Sequence, residues 1–142
     1  MSQCLKTYTS LWAMQPHDQT GIKLPYDQVC EMVANAGYDG MAIDLGAGDV
    51  TQAHEVRPHM ERHGLTPLIV AFPKTVEGLR ETLVMAKDFG SPFVDVIGQV
   101  MPLSVDGMIP VIRQWMDMAD QIGVPIQFES HRNCITNDLY ST

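Results

Sequence analysis

Alternation constrains this chain more than any single motif. Four helix-like stretches end at Gly37-Tyr38, Gly64-Leu65, Gly90-Ser91 and Gly123-Val124, and a short β-like run follows each. These landmarks lie 27, 26 and 33 residues apart, a repeat of architecture rather than of sequence. Short runs rich in Val, Ile, Phe and Thr alternating with amphipathic stretches are the pattern of βα units around a parallel sheet. Eight such units need on the order of 250 residues in a closed (β/α)8 barrel. With 142 residues the chain holds about half of one. The expected fold is therefore α/β, a partial (β/α)8 barrel of about five parallel strands and four helices occupying residues 1–142.

Strands are expected at residues 5–10, 40–45, 67–72, 93–99 and 125–129. The first helix starts near Pro25, where a missing N–H costs nothing, carries Val29, Met32, Val33 and Ala36 on one stripe, and stops at Gly37. The second, over 51–63, contains Pro58, which costs about 3 kcal/mol in a helix interior and so implies a kink or a late start. Thr75 is the expected N-cap of the third, with Val76, Leu79, Leu83 and Ala86 in an apolar row before Gly90. The fourth follows Asp106, with Met108, Ile112, Trp115, Ala119 and Ile122 facing inward before Gly123. Residues 136–142 read as the N-cap and first turn of a fifth helix, an ending that looks like truncation.

Charge and cysteine content exclude several function classes. Nine Lys and Arg against seventeen Asp and Glu give a formal charge of −8, and the basic residues are scattered. Such a chain offers no electrostatic footprint for nucleic acid or an anionic membrane. Cys4, Cys30 and Cys134 are odd in number and form no CxxC, so they are neither a disulfide framework nor a zinc knuckle. No apolar run approaches the roughly 20 residues of a membrane span, and the N-terminus lacks the apolar core of a signal peptide. A soluble, cytoplasmic protein is expected.

In a parallel sheet with helical crossovers, functional groups come from strand C-terminal ends and the loops after them. That rule selects Trp12 and Gln15-Pro16-His17-Asp18 after strand one, Asp44 after strand two, Lys74 after strand three, Gln99 after strand four, and Glu129, Ser130, His131 and Arg132 after strand five. Alternation along an extended strand puts Gln127, Glu129 and His131 on one side, so a carboxylate and an imidazole lie close together, able to hold a divalent metal or share a proton. The competing reading is a solvated Glu129 paired with Arg132. Asp95 shares a face with Gln99 and reads as a buried carboxylate in a structural hydrogen bond. His59 and His63, four apart but without an HExxH glutamate, read as a surface helix face, and Lys74 as a solvated lysine within reach of a phosphate.

Gly-Gln-Val-Met-Pro at 98–102, Val-Pro-Ile-Gln-Phe-Glu-Ser-His-Arg-Asn at 124–133 and Thr-Asn-Asp-Leu at 136–139 resemble the xylose isomerase-like TIM-barrel superfamily, the sugar phosphate isomerases and epimerases. The resemblance implies that Glu129 is a divalent-metal ligand and handles protons in catalysis, and that Gln99, His131 and Arg132 lie on the substrate side. It implies Mn, Mg, Co or Zn as cofactor, with an aspartate, a histidine and a second glutamate supplied by later strands absent from this sequence. The implied substrate is a small sugar or polyol, and the implied chemistry moves a proton or hydride between adjacent carbons. By itself the chain would then be an incomplete catalytic domain, and its exposed strand edges invite a homo-oligomer.

Two other classes compete. A non-catalytic five-stranded flavodoxin-like or receiver-like module has a natural length near this one. A receiver, however, needs an acidic pair after strand one and an aspartate after strand three, where this chain has Trp12 and Phe72-Pro73-Lys74; a flavin module needs a phosphate loop, and no glycine follows strand one until Gly21. An endonuclease on the same barrel is opposed by the charge of −8.

Overall fold

The computed structural model describes residues 5–14, 23–100 and 104–136. Among them the elements run β1 (Tyr8–Ser10), a 3-10 turn (Trp12–Met14), α1 (Tyr26–Asn35), β2 (Gly40–Asp44), α2 (Val50–Arg62), β3 (Thr66–Ala71), α3 (Gly78–Phe89), β4 (Val94–Val96), α4 (Val105–Ile122) and β5 (Ile126–Phe128). The strands are parallel and their order follows the chain, β1-β2-β3-β4-β5. This is the expected succession of βα units; a flavodoxin-like sheet would show the order 2-1-3-4-5. Cysteine 4, the loop 15–18, residues 101–102 and the expected fifth helix beyond Thr136 lie outside the described residues. No helix among the described residues is long and apolar enough to cross a membrane.

The chain divides into two compact units, residues 1–68 and 69–142. In the first, Tyr8, Thr9 and Ser10 pair with Gly40, Met41 and Ala42. Met41 and Ile43 are fully buried, and so are Ala53, Val56 and Met60 of α2; Val29, Cys30 and Val33 of α1 join them. The α1 stripe differs from the expected one: Met32 is 46% exposed and Cys30 is buried. Met32 sits about 100° around the helix from the centre of the Val29, Cys30 and Val33 face, which places it toward solvent. Helix α2 begins at Val50, capped by Asp49, whose carboxylate accepts from the Gln52 N–H at 2.8 Å, and it runs through Pro58 without a late start. Its buried apolar face offsets the ladder bond that Pro58 cannot make.

In the second unit Ile69, Val70 and Ala71 pair with Val94, Asp95 and Val96, which pair with Ile126, Gln127 and Phe128. Leu79, Leu83, Ala86 and Phe89 of α3 and Met108, Val111, Trp115, Met118 and Ala119 of α4 are buried. Gly90 and Gly123 stop these helices in left-handed conformations, φ 71° and 80°, which other residues adopt only at a cost. The starts differ from expectation. Thr75 caps a lead-in turn, its Oγ1 accepting from the Gly78 N–H at 3.1 Å, and α3 begins only at Gly78. Ser104, two residues before Asp106, caps α4 by accepting from the Gly107 N–H. Trp115 anchors the unit: its indole N–H donates to the Val76 carbonyl at 2.9 Å and its ring stacks on Phe128.

Candidate functional site

Strand alternation builds the site. Val94 and Val96 of β4 are fully buried, so Asp95 between them projects to the other side of the sheet. The register lines Asp95 up between Val70 and Gln127. On β5, Phe128 turns to Trp115 on α4, which sends Gln127 and Glu129 to the side that Asp95 occupies. The Glu129 N–H donates to the Val96 carbonyl at 3.1 Å, so extended backbone persists past the end of β5, as the expected alternation required.

Two carboxyls meet there. Asp95 and Glu129 share a side-chain hydrogen bond, and Asp95 is pushed up to about 6, first by burial and then by the hydrogen bond and charge of Glu129. Two carboxyls this close hold a proton between them more readily than two charges. Asp95 is thus a structural hydrogen-bond partner, as expected, but its partner is the residue on which the family resemblance centres. Sequence alone does not show this, because the match depends on the β4–β5 register.

The loop after β5 is tightly braced. Thr136 Oγ1 donates to the Glu129 carbonyl at 2.8 Å, the Cys134 thiol donates to the His131 carbonyl, and the Ile135 N–H donates to the Gly98 carbonyl at 2.8 Å. Asn133 takes a left-handed conformation, φ 57°, which asparagine tolerates better than most residues. Gly98 has no Cβ because one would stand 2.9 Å from both Ile135 and the Trp115 ring. His131 packs edge-on against Phe72, 6.1 Å between ring centres, and its Nδ1 lies 2.8 Å from the Arg132 carbonyl. A carbonyl only accepts, so Nδ1 carries hydrogen and Nε2 of the neutral ring is an acceptor. Phe72 escaped the sequence reading; its position at the end of β3 is the only signal that could have found it.

The remaining expected site residues are more loosely placed. Glu129 and Arg132 are both exposed but form no ion pair, so the competing reading holds for the solvation of Glu129 and fails for its pairing. Gln99 is half-buried and fixed by its backbone, the N–H donating to the Pro73 carbonyl at 2.9 Å. Asp44 closes the turn before α2, accepting from the N–H groups of Gly46 and Ala47 at 2.7 and 2.9 Å. His59 and His63 are not a simple surface face: with Arg62 they surround Asp27 of α1, at 3.2, 3.1 and 2.6 Å from one carboxylate oxygen. Those contacts, His59 foremost, hold the Asp27 carboxyl below its ordinary range.

Hard oxygen donors from Asp95 and Glu129 suit Mn, Mg, Co or Zn. The number of donors falls short: among the described residues no group of three His, Cys, Asp or Glu side chains is placed to hold an ion. A catalytic metal takes about three protein ligands and an open position, so these carboxyls fit part of a site.

No family model and no curated protein matches the sequence. Solved structures do match the fold. The sialic acid aldolase of Ruminococcus gnavus, in its catalytic-lysine mutant form, aligns over 94% of this chain and 47% of its own, with a TM-score of 0.64 and 13% identity. Dihydrodipicolinate synthase from Rhodopseudomonas palustris aligns over 93% and 46%, with a TM-score of 0.63 and 14% identity. The D-allulose 3-epimerase from Methylomonas sp., in complex with D-allulose, aligns over 91% and 52%, with a TM-score of 0.60 and 16% identity. The chain therefore spans about half the length of the barrels it matches, and the fold is a partial (β/α)8 barrel.

Proposed function

We propose that the chain is part of a divalent-metal-dependent sugar or sugar phosphate isomerase or epimerase, a cytoplasmic enzyme of carbohydrate metabolism in the xylose isomerase-like group. One observation carries this reading: the Asp95 and Glu129 carboxyls meet across β4 and β5, with Glu129 just past the C-terminal end of β5, the end at which barrel enzymes keep their chemistry. The sequence resemblance around Glu129 supports it, as does an epimerase of a ketose among the similar folds. At 13–16% identity the aldolase, the synthase and the epimerase each share only the fold with this chain.

Within this reading Glu129 and Asp95 would offer two oxygen ligands to Mn, Mg, Co or Zn, the others coming from further strands. A bound ion of this kind polarises a carbonyl and so lowers the cost of removing a proton from the neighbouring carbon. The chain's own groups do the rest. The carboxyl pair takes up and returns a proton, Nε2 of His131 accepts a hydrogen bond from a substrate hydroxyl, and Phe72 holds the imidazole edge-on and supplies an apolar wall. Gln99 completes the substrate side. Self-association through strand edges belongs to the same proposal.

The test is calorimetric metal titration with an isomerisation assay across aldoses and ketoses, in the protein carrying the further strands. Glu129→Gln should abolish turnover and weaken metal binding by more than the roughly 10- to 100-fold typical of residues that only support a ligand. His131→Ala should chiefly raise KM. A Glu129→Gln protein with unchanged rate and metal affinity would remove that residue from the site.

A further inference from the structure

We propose that the first unit carries a ligand site of its own, a cleft between the starts of α1 and α2 that takes a small apolar α-amino acid as its zwitterion. Two cavities make up the cleft. One, of about 220 Å³, is apolar: Leu11 and Val29 are buried at its back, while Pro25 and Leu24, 37% exposed, stand at its edge. The other, of about 470 Å³, is polar and holds Asp49, Thr51 and Glu55 from the start of α2. Lys23, Tyr26 and Gln52 line both, which makes the two cavities lobes of one cleft. All of these residues belong to the unit 1–68, so the inference does not rest on the isomerase reading of Asp95 and Glu129.

The walls of the cleft are ordered by contacts between the two helices. Gln52 reaches across: its Nε2 donates to the Tyr26 hydroxyl at 3.3 Å, and its Oε1 lies so close to the Gly48 backbone that a Cβ there would overlap it. The Tyr26 ring also meets His59, 6.4 Å between ring centres. The next residue, Asp27, is the one gripped by His59, Arg62 and His63. The first turn of α1 is thereby fixed to α2, and a site already in place loses less freedom when a ligand enters.

The charges select the ligand. A glycine-bearing loop before a helix is a common cradle for phosphate, but here the N–H groups are spent. Those of Gly46 and Ala47 go to the Asp44 carboxylate, that of Gly48 to the Asp44 carbonyl and that of Gln52 to Asp49. The polar lobe offers carboxylates instead, Asp49 and Glu55, which match an ammonium. Lys23 and the Tyr26 hydroxyl, which accepts from Gln52 and keeps its own proton to donate, stand where the lobes join and match a carboxylate. Lys23 and Glu55 make no side-chain hydrogen bond or ion pair among the described residues. An ammonium and a carboxylate on one carbon answer both sets of charges, and a branched or aromatic side chain answers the apolar lobe. A cavity of about 150 Å³ admits a benzene ring, so the apolar lobe has room for the side chain of leucine or phenylalanine.

The experiment titrates the 142-residue chain at neutral pH and low ionic strength with four probes, reading heat and amide NMR shifts. L-leucine has all three features, L-leucinamide lacks the carboxylate, 4-methylpentanoate lacks the ammonium and glycine lacks the side chain. Saturable binding of leucine is expected, with shifts at Val29 and Gln52, and each of the other probes should bind about tenfold more weakly or worse. Lys23→Met should weaken leucine about tenfold and leave leucinamide unmoved; Glu55→Gln should weaken leucine by a similar factor and leave 4-methylpentanoate unmoved. Both side chains are exposed, so neither change disturbs packing. Absence of saturable leucine binding, glycine binding as tightly as leucine, or a leucine affinity that Lys23→Met does not move overturns the inference. Leucinamide binding as tightly as leucine also overturns it, and points to the N-terminal residue of a peptide instead.

Discussion

Asp95 binds its proton more tightly in the folded chain than in the unfolded one, where an aspartate titrates near 3.9. Burial leads the shift to about 6, with Glu129 second. The sign follows from linkage: between about pH 4 and 6 the folded state holds more protons, so stability falls as pH rises through that window and is level on either side. Asp95→Asn removes the titration while keeping an N–H donor for Glu129. In the metal-free chain the variant should be about 1–2 kcal/mol more stable than the parent at pH 8, after allowance for partial exposure, and nearly equal at pH 4. Urea unfolding at the two pH values checks it; a gap that does not change with pH would mean that Asp95 is not held above its ordinary range. Each of these residues was visible in the sequence as a strand carboxylate. Their partnership was not, because it arises from pairing across β4 and β5, which no local pattern specifies.

Among elements, stops were more legible than starts. Gly90 and Gly123 end α3 and α4 where read, since a left-handed residue is a local demand that glycine alone meets cheaply. The beginnings of those helices shifted because Thr75 and Ser104 each satisfy an N–H three residues on, and the sequence offers several such oxygens. The fourth and fifth strands are shorter than expected at both ends, the first at its start and the second at its end, because ladder pairing, unlike composition, needs a neighbour; β3 keeps six residues, one position earlier. Contact between α1 and α2 was hidden altogether: Asp27 gathers His59, Arg62 and His63, which lie 32 to 36 residues along the chain but within 3.2 Å in space. Its depressed carboxyl pKa makes a contribution to stability that is present above the ordinary aspartate range and lost as pH falls through the folded value. Asp27→Asn should lower Tm at pH 7 and match the parent near pH 2, by calorimetry. In the second unit Gly98→Ala should cost about 1–3 kcal/mol, because the methyl would push on Ile135 and the Trp115 ring together. A neutral Gly98→Ala would mean that the loop after β5 is looser than its hydrogen bonds imply.

On the scale of the whole molecule, the strand order places β1 and β5 last in the row, each with a single neighbour among the described residues. Solved barrels with this fold continue for about as many residues again. An edge strand presents unpaired N–H and C=O groups that can template pairing with another chain. Both edges are three residues long, and the negative charge of Glu129 stands just past β5, so pairing should be weak rather than fibrillar. The 142-residue chain should therefore associate reversibly: light scattering should report a mass rising with concentration, more so near pH 5 than pH 8 as the acidic surface loses charge. A hydrophobic dye should bind the dilute form and be partly displaced on association. Addition of a polypeptide supplying later βα units should suppress both signals if it covers the edges. A stable monomer, resistant to concentration and blind to the dye, would mean that the edges are already covered by this chain's own residues, and would remove the reason for expecting further strands to complete the proposed metal site.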